Sequence, residues 1–169
     1  MKKALSLIII LVLTYSIQAC KVNYSFTGGS VGDAKTIDIP FFPNNANFVE
    51  PTLSQEFQIA LQDLFLRQTN LSLTNGNADL TFEGEITQYR TVPIAATASQ
   101  TAAQSRLTVG IKVNFYNALK EEDNFEKVFT HFYDYDANSQ LTGSTLEDAF
   151  KEIFERITQD IFNESVAKW

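Results

Sequence analysis

The stretch RLTVGIKVNFY, residues 106–116, places Leu107, Val109, Ile111, Val113 and Phe115 on one side of an extended chain and Arg106, Thr108, Lys112 and Asn114 on the other. Successive side chains leave a strand on opposite faces, so this period of two marks a half-buried strand. Its apolar side needs a second layer to cover it. The segment ADLTFEGEITQY repeats the pattern, with Leu80, Phe82 and Ile86 set against Thr81, Glu83, Glu85 and Thr87; Gly84 marks either a bulge or a close approach. KTIDIPF puts Ile37, Ile39 and Phe41 on one side, and Pro40 predicts a strand that ends early or lies at an edge. In FEKVFTHFYDY, Phe125, Phe129 and Phe132 break strict alternation, which predicts a bulge.

Two helical stripes supply the cover. Thr52-Leu53-Ser54-Gln55 reads as a capping box, and Leu53, Phe57, Leu61, Leu64 and Phe65 then recur at helical spacing until Thr69-Asn70. Ser144-Thr145-Leu146-Glu147 reads as a second box, ahead of Phe150, Ile153, Phe154, Ile157 and Ile161 on one face. The predicted order is β-α-β-β-β-α. An α+β two-layer sandwich, with both helices on one face of a four-stranded mixed sheet, covers every apolar face; the other face of the sheet stays open to water or a partner. The 14 Phe of the chain give this core large buried areas.

The beginning of the chain is of another kind. Lys2 and Lys3 precede an apolar block from Leu7 to Leu13 and then small and polar residues, the layout of a secretory signal peptide. The block is much shorter than the ~20 apolar residues a spanning helix needs. Ile17-Gln18-Ala19-Cys20 resembles the lipobox of bacterial lipoproteins, with Gln18 larger than the residue usual there. The resemblance implies diacylglyceryl and N-acyl groups on Cys20, the only cysteine, and cleavage before it. The alternative is a plain secreted protein with one thiol that has no disulfide partner in the chain. The expected organisation is a leader at residues 1–19, a lipidated tether at 20–34 containing Gly28 and Gly29, and one domain at 35–169. Acyl chains contribute ~0.8 kcal/mol per buried CH₂, which holds the domain on a membrane face without crossing it.

Charge and residue inventory narrow the function. The leader holds two of 13 basic residues and none of 20 acidic ones, leaving a net charge of −9 for the rest. An acidic chain offers no phosphate-neutralising surface for nucleic acid. With His131 as the sole histidine and Cys20 acylated, the expectation is no metal site, no catalytic residue and no cofactor beyond the acyl groups. His131 reads as a structural strand residue. Glu83 and Glu85 share a strand face, which a solvated sheet explains as well as a carboxylate pair does. Thr91 to Ser105 carries no charge and is expected to be a loop, either a contact surface or a mobile connection. Arg90 and Arg106 flank it and, with Lys112, are the candidate contacts to lipid phosphate or a partner.

The strings FFPNNANFVEPTLSQEF, DLTFEGEITQY with the following Val-Pro, RLTVGIKVNFYN and DIFNESVAKW together resemble the LptE family of lipopolysaccharide-assembly lipoproteins, in consistent order over nearly all of the chain after the leader. The resemblance implies two helices against a four-stranded sheet and no enzymatic activity. It implies a lipoprotein on the periplasmic side of the outer membrane that plugs the lumen of an LptD-type β-barrel, assists its assembly and helps deliver lipopolysaccharide to the outer leaflet. The other reading is a periplasm-facing lipoprotein module that activates a cell-wall enzyme.

Overall fold

The computed structural model describes residues 31–48, 50–94 and 103–167. The leader, Cys20 and most of the tether therefore lie outside the described residues. The elements run β1 (Thr36–Asp38), α1 (Leu53–Gln68), β2 (Ser72–Leu73), β3 (Leu80–Ile94), β4 (Gln104–Asn117), β5 (Phe125–Asp136) and α2 (Ser144–Val166), with a short 3₁₀ turn at Glu121–Asp123. The α+β class is as expected, but the sheet has five strands, in the order β2-β1-β3-β4-β5. The added strand, β2, is two residues long and carries no periodicity to read. β1 runs parallel to β2 and β3, whereas β3, β4 and β5 are successively antiparallel, which makes the sheet mixed.

β1 stops before Pro40, yet it lies between two strands and is not an edge. Its position is fixed by Asp79, whose Oδ2 accepts from Lys35 N (2.8 Å), Thr36 N (3.0 Å) and Thr36 Oγ1 (2.9 Å). The Lys35 N–H first, and then Thr36, hold the Asp79 carboxyl below its ordinary 3.8. A carboxylate whose pKa is depressed by folding stabilises the fold above its unfolded pKa and loses that contribution as pH falls through the folded one. Asp79→Ala is therefore expected to melt lower than the natural chain at neutral pH, with the gap closing below pH 3.8 in thermal scans. Past Pro40 the phase changes: Phe42, not Phe41, enters the core and meets Phe57 edge-on at 5.1 Å.

The chain then returns along β3. Ile86 N donates to Pro43 O and Asn45 N to Ile86 O, both at 2.9 Å. Beside this contact the β3–β4 register slips between Ile86 and Gln88, so the bulge of the sheet sits here. β5 has none: it pairs with β4 in unbroken register from Phe125 to Asp136, and Phe132 faces the open side. Gly84 marks a close approach, since a Cβ there would strike the Lys112 carbonyl oxygen and come within 2.8 Å of the Phe42 ring.

Neither capping box forms. Thr52 is already helical at φ −88° and ψ −18°, and makes no side-chain cap. α2 starts one residue earlier than a Ser144 cap allows: Gly143, at φ 55°, precedes it and its carbonyl accepts from Leu146 N and Glu147 N. α1 closes as expected, with Thr69 N and Oγ1 both donating to Phe65 O at 2.9 and 2.7 Å. Between the layers runs a connected set of rings. Phe82 lies 4.9 Å from Phe65 and 4.7 Å from Phe115, and Phe65 lies 5.2 Å from Phe162. Both helix stripes are buried against it.

Candidate docking surface on the open sheet face

The bulge decides which side chains the open face presents. Before it, the even-numbered residues of β3 point to the helices (Leu80, Phe82, Ile86); after it, odd-numbered Tyr89 does. Arg90 is thereby turned outward, where it stands opposite Thr108. Without the extra residue its guanidinium would point into the core, where an unpaired charge is very costly. On the inner side burial pushes the Tyr89 hydroxyl up to about 12, and its ring stacks on Phe48 at 5.7 Å.

Arg106 and Lys112 share this face with Arg90, and the three differ in what binds them. Arg106 makes a bidentate pair with Asp134 across β4 and β5, Nε to Oδ1 at 2.7 Å and Nη2 to Oδ2 at 2.8 Å, and lies 3.6 Å above the Phe132 ring. The hydrogen bond it donates to Asp134 raises its pKa. Lys112 Nζ sits 2.8 Å from Glu126, and that bond first, then the Glu126 charge, raises its pKa. Arg90 is exposed and has no ion pair among the described residues. Glu85 accepts from Asn45 Nδ2 at 2.5 Å and Glu83 is exposed, so the carboxylates are not held together as a pair. No group of three or more metal-ligating side chains occurs among the described residues.

His131 lies on the other side of β5 and reaches Asp160 of α2 at 2.7 Å, while Lys127 reaches Glu164 at 2.6 Å. These pairs fasten the last helix to the last strand. The open face also carries three exposed apolar side chains, Tyr116, Val128 and Phe132. A bulge in β5 would set Phe132 inward with Phe125 and Phe129, but the unbroken strand carries it outward. The plain alternation Val128, Thr130, Phe132, Asp134 is the signal that places it outward. The face is therefore amphipathic, with salt-bridged polar groups around scattered apolar ones.

The uncharged connection is shorter than expected. Thr91 to Ile94 belong to β3, and Gln104 and Ser105 belong to β4, so the pairing continues to Ile94–Gln104. Residues 95–102 lie outside the described residues. The start of β3 and the end of β4 lie together at one pole, and the Ile94–Gln104 pair is at the other, on the order of 45 Å away by the rise of a strand.

Residues 34–165 match the profile of a protein family described as LptE, Lipopolysaccharide-assembly. Among solved structures, a hypothetical protein from Chlamydia trachomatis superposes with a TM-score of 0.52 at 10% identity, covering 80% of this chain and 99% of its own. A minor lipoprotein from Acinetobacter baumannii gives 0.49 at 12% identity, covering 80% of this chain and 98% of its own. Rare lipoprotein B from Shewanella oneidensis gives 0.44 at 11%, covering 76% and 90%. At these identities the first likeness speaks to fold alone. No curated protein matches the chain.

Proposed function

We propose a function from the premise that the family match supplies: the chain belongs to the LptE lipopolysaccharide-assembly family. It acts as a lipid-anchored subunit of the outer-membrane lipopolysaccharide translocon. The acylated Cys20 holds it on the periplasmic side, and the domain seats in the lumen of an LptD-type barrel, where it assists assembly of the barrel and delivery of lipopolysaccharide to the outer leaflet. The mechanism is complementarity of surfaces and involves no bond-making step.

The match over residues 34–165 carries this reading. The amphipathic sheet face supports it physically, because the interior of a wide barrel is polar and a plug needs a surface that satisfies polar groups while excluding water. Of the three basic candidates, Arg90 is the available contact for an anionic group, since Arg106 and Lys112 hold partners of their own. The net charge of −9 carried by the chain after the leader argues for such a local contact and against broad capture of phosphates.

Copurification from the native envelope tests the proposal. The tagged full chain is expected to bring down a large β-barrel. Deletion of residues 96–101, which spares every paired residue of the hairpin and leaves three residues to connect them, is expected to reduce the barrel recovered while the thermal melt of the domain stays within a few degrees of the natural chain. Capture of a glycan synthase in place of a barrel would instead support the cell-wall reading. Unchanged recovery after the deletion would remove the loop from the interface.

A further inference from the structure

The sheet ends in two edges, β2 and β5. β2 has two residues, whereas β5 has 12, without proline, glycine or a break in register. Edges are usually blunted by shortness, proline or a bulge, because an open edge is a row of unpaired backbone groups. A single bond tells which groups of β5 are free. Ala137 N donates to Ala103 O at 3.0 Å, and this pair continues the β4–β5 register. Opposed residues of an antiparallel ladder alternate between bonded and non-bonded pairs, so the odd-numbered residues of β5 bond to β4. The N–H and C=O groups of Glu126, Val128, Thr130, Phe132 and Asp134 point the other way, and none of them has a hydrogen-bond partner among the described residues.

The two sides of this edge differ in chemistry. On the helix side a groove runs between β5 and α2, as two hollows of about 500 and 440 Å³ that share Asp160. Asp160, Glu164, Glu152 and Glu155 line it against Lys127, Arg156 and His131, so it is acidic in either protonation state of the imidazole. Lys127 is drawn onto Glu164 at 2.6 Å and Arg156 onto Glu152 at 2.8 Å. Glu155 is left without a cation among the described residues, and Asp160 has only His131. On the open side Val128 is 54% and Phe132 45% exposed, while Glu126 and Asp134 already hold Lys112 and Arg106. An incoming strand thus meets backbone bonds along its length, apolar cover on one face and negative charge on the other.

We propose that the edge of β5 receives an extended segment of a partner polypeptide in which apolar residues alternate with lysine or arginine. Main-chain bonds supply the affinity of such strand addition, and alternate side chains supply its selectivity. Side chains opposite Val128, Thr130 and Phe132 lie on the open face and pair with them across the strands, whereas those between lie over the groove beside Asp160. A second copy of this chain fits poorly. Antiparallel pairing of β5 with itself about Thr130 sets Glu126 opposite Asp134 at both ends and brings two acidic grooves side by side, and like charges so placed are destabilising. The proposal does not rest on the translocon reading, and its test uses the purified protein.

The probe is a labelled peptide of about ten residues, alternating valine and lysine, whose binding is read by fluorescence anisotropy. Thr130→Pro removes an N–H that makes no ladder bond, a position where an edge strand tolerates proline, so the domain is expected to stay folded by its thermal melt. The same substitution is expected to weaken peptide binding at least roughly tenfold, because the incoming strand loses a donor and meets the ring. A second measurement leaves the protein unaltered. Methylation of every second peptide nitrogen is expected to abolish binding in one phase and spare it in the other, and glutamate in place of lysine is expected to weaken it at least roughly tenfold. Absence of binding, equal binding of the lysine and glutamate peptides, equal effects of the two methylation phases, or unchanged binding by folded Thr130→Pro overturns the proposal. So does a dimer of the natural chain in sedimentation that Thr130→Pro dissolves, which would assign the edge to a second copy.

Discussion

Phe82→Ala is expected to lower the stability of the domain by about 3–5 kcal/mol, the usual cost of removing a buried aromatic ring from a core that cannot close over the space. Phe82 is fully buried on β3, and its ring touches those of Phe65 from α1 and Phe115 from β4. One truncation therefore removes contacts on both layers. Domains of this size have only about 5–15 kcal/mol in total, so the variant keeps a fold but a marginal one. Urea unfolding is the measurement, and at typical slopes the midpoint falls by roughly 1–3 M. Phe132→Ala provides the contrast. That ring is 45% exposed on the open face and its defined partner is the Arg106 guanidinium, an interaction worth about 0.5–1 kcal/mol at an exposed site. Equal losses in the two variants would contradict the assignment of one covered and one open sheet face.

That assignment also shows what the residues reveal when read in order and what they conceal. The body of β4 is legible because its alternation is strict and its register runs unbroken against β5, whereas Gln104 and Ser105 at its start carry no such pattern and are expected in the loop. β3 contains its own clue: Leu80, Phe82 and Ile86 are even-numbered and Tyr89 is odd, a slip of one that signals a bulge at Thr87. In β5, Phe125, Phe129 and Phe132 imitate the same slip, although Phe132 lies on the open face and the register is unbroken. β2 has only two residues, and it forms because Ser72 N donates to Lys35 O and Thr74 N to Ile37 O across a long stretch of sequence. The capping boxes have the right residues but not the right backbone angles, which depend on how the preceding turns arrive. The candidate contacts follow the same division. Strict alternation places Arg106 and Lys112 on a common face, whereas Arg90 joins them only through the bulge at Thr87. Asp134 is 28 residues from Arg106, and Glu126 belongs to the neighbouring strand, so only the folded sheet reveals that two of the three are already paired.

Cys20→Ser is expected to have the largest effect in the cell, because on the proposed reading no other feature holds the domain to a membrane. Among the described residues no helix is long and apolar enough to cross one, and the net charge of −7 opposes attraction to anionic lipid. Binding then rests on acyl chains at ~0.8 kcal/mol per buried CH₂, where one chain is marginal and two or more persist. A hydroxyl at position 20 does not form the thioether, so cleavage before that residue fails as well. The expected product retains residues 1–19, incorporates no labelled palmitate, is missing from the outer-membrane fraction and does not restore surface lipopolysaccharide after depletion of the natural chain. Mass supplies the internal check, since the unprocessed chain is heavier than the processed one by residues 1–19. A Cys20→Ser protein that is processed normally, fractionates with the outer membrane and supports growth would show that the sulfur is not the anchor, and that another contact places the sheet beside its partner.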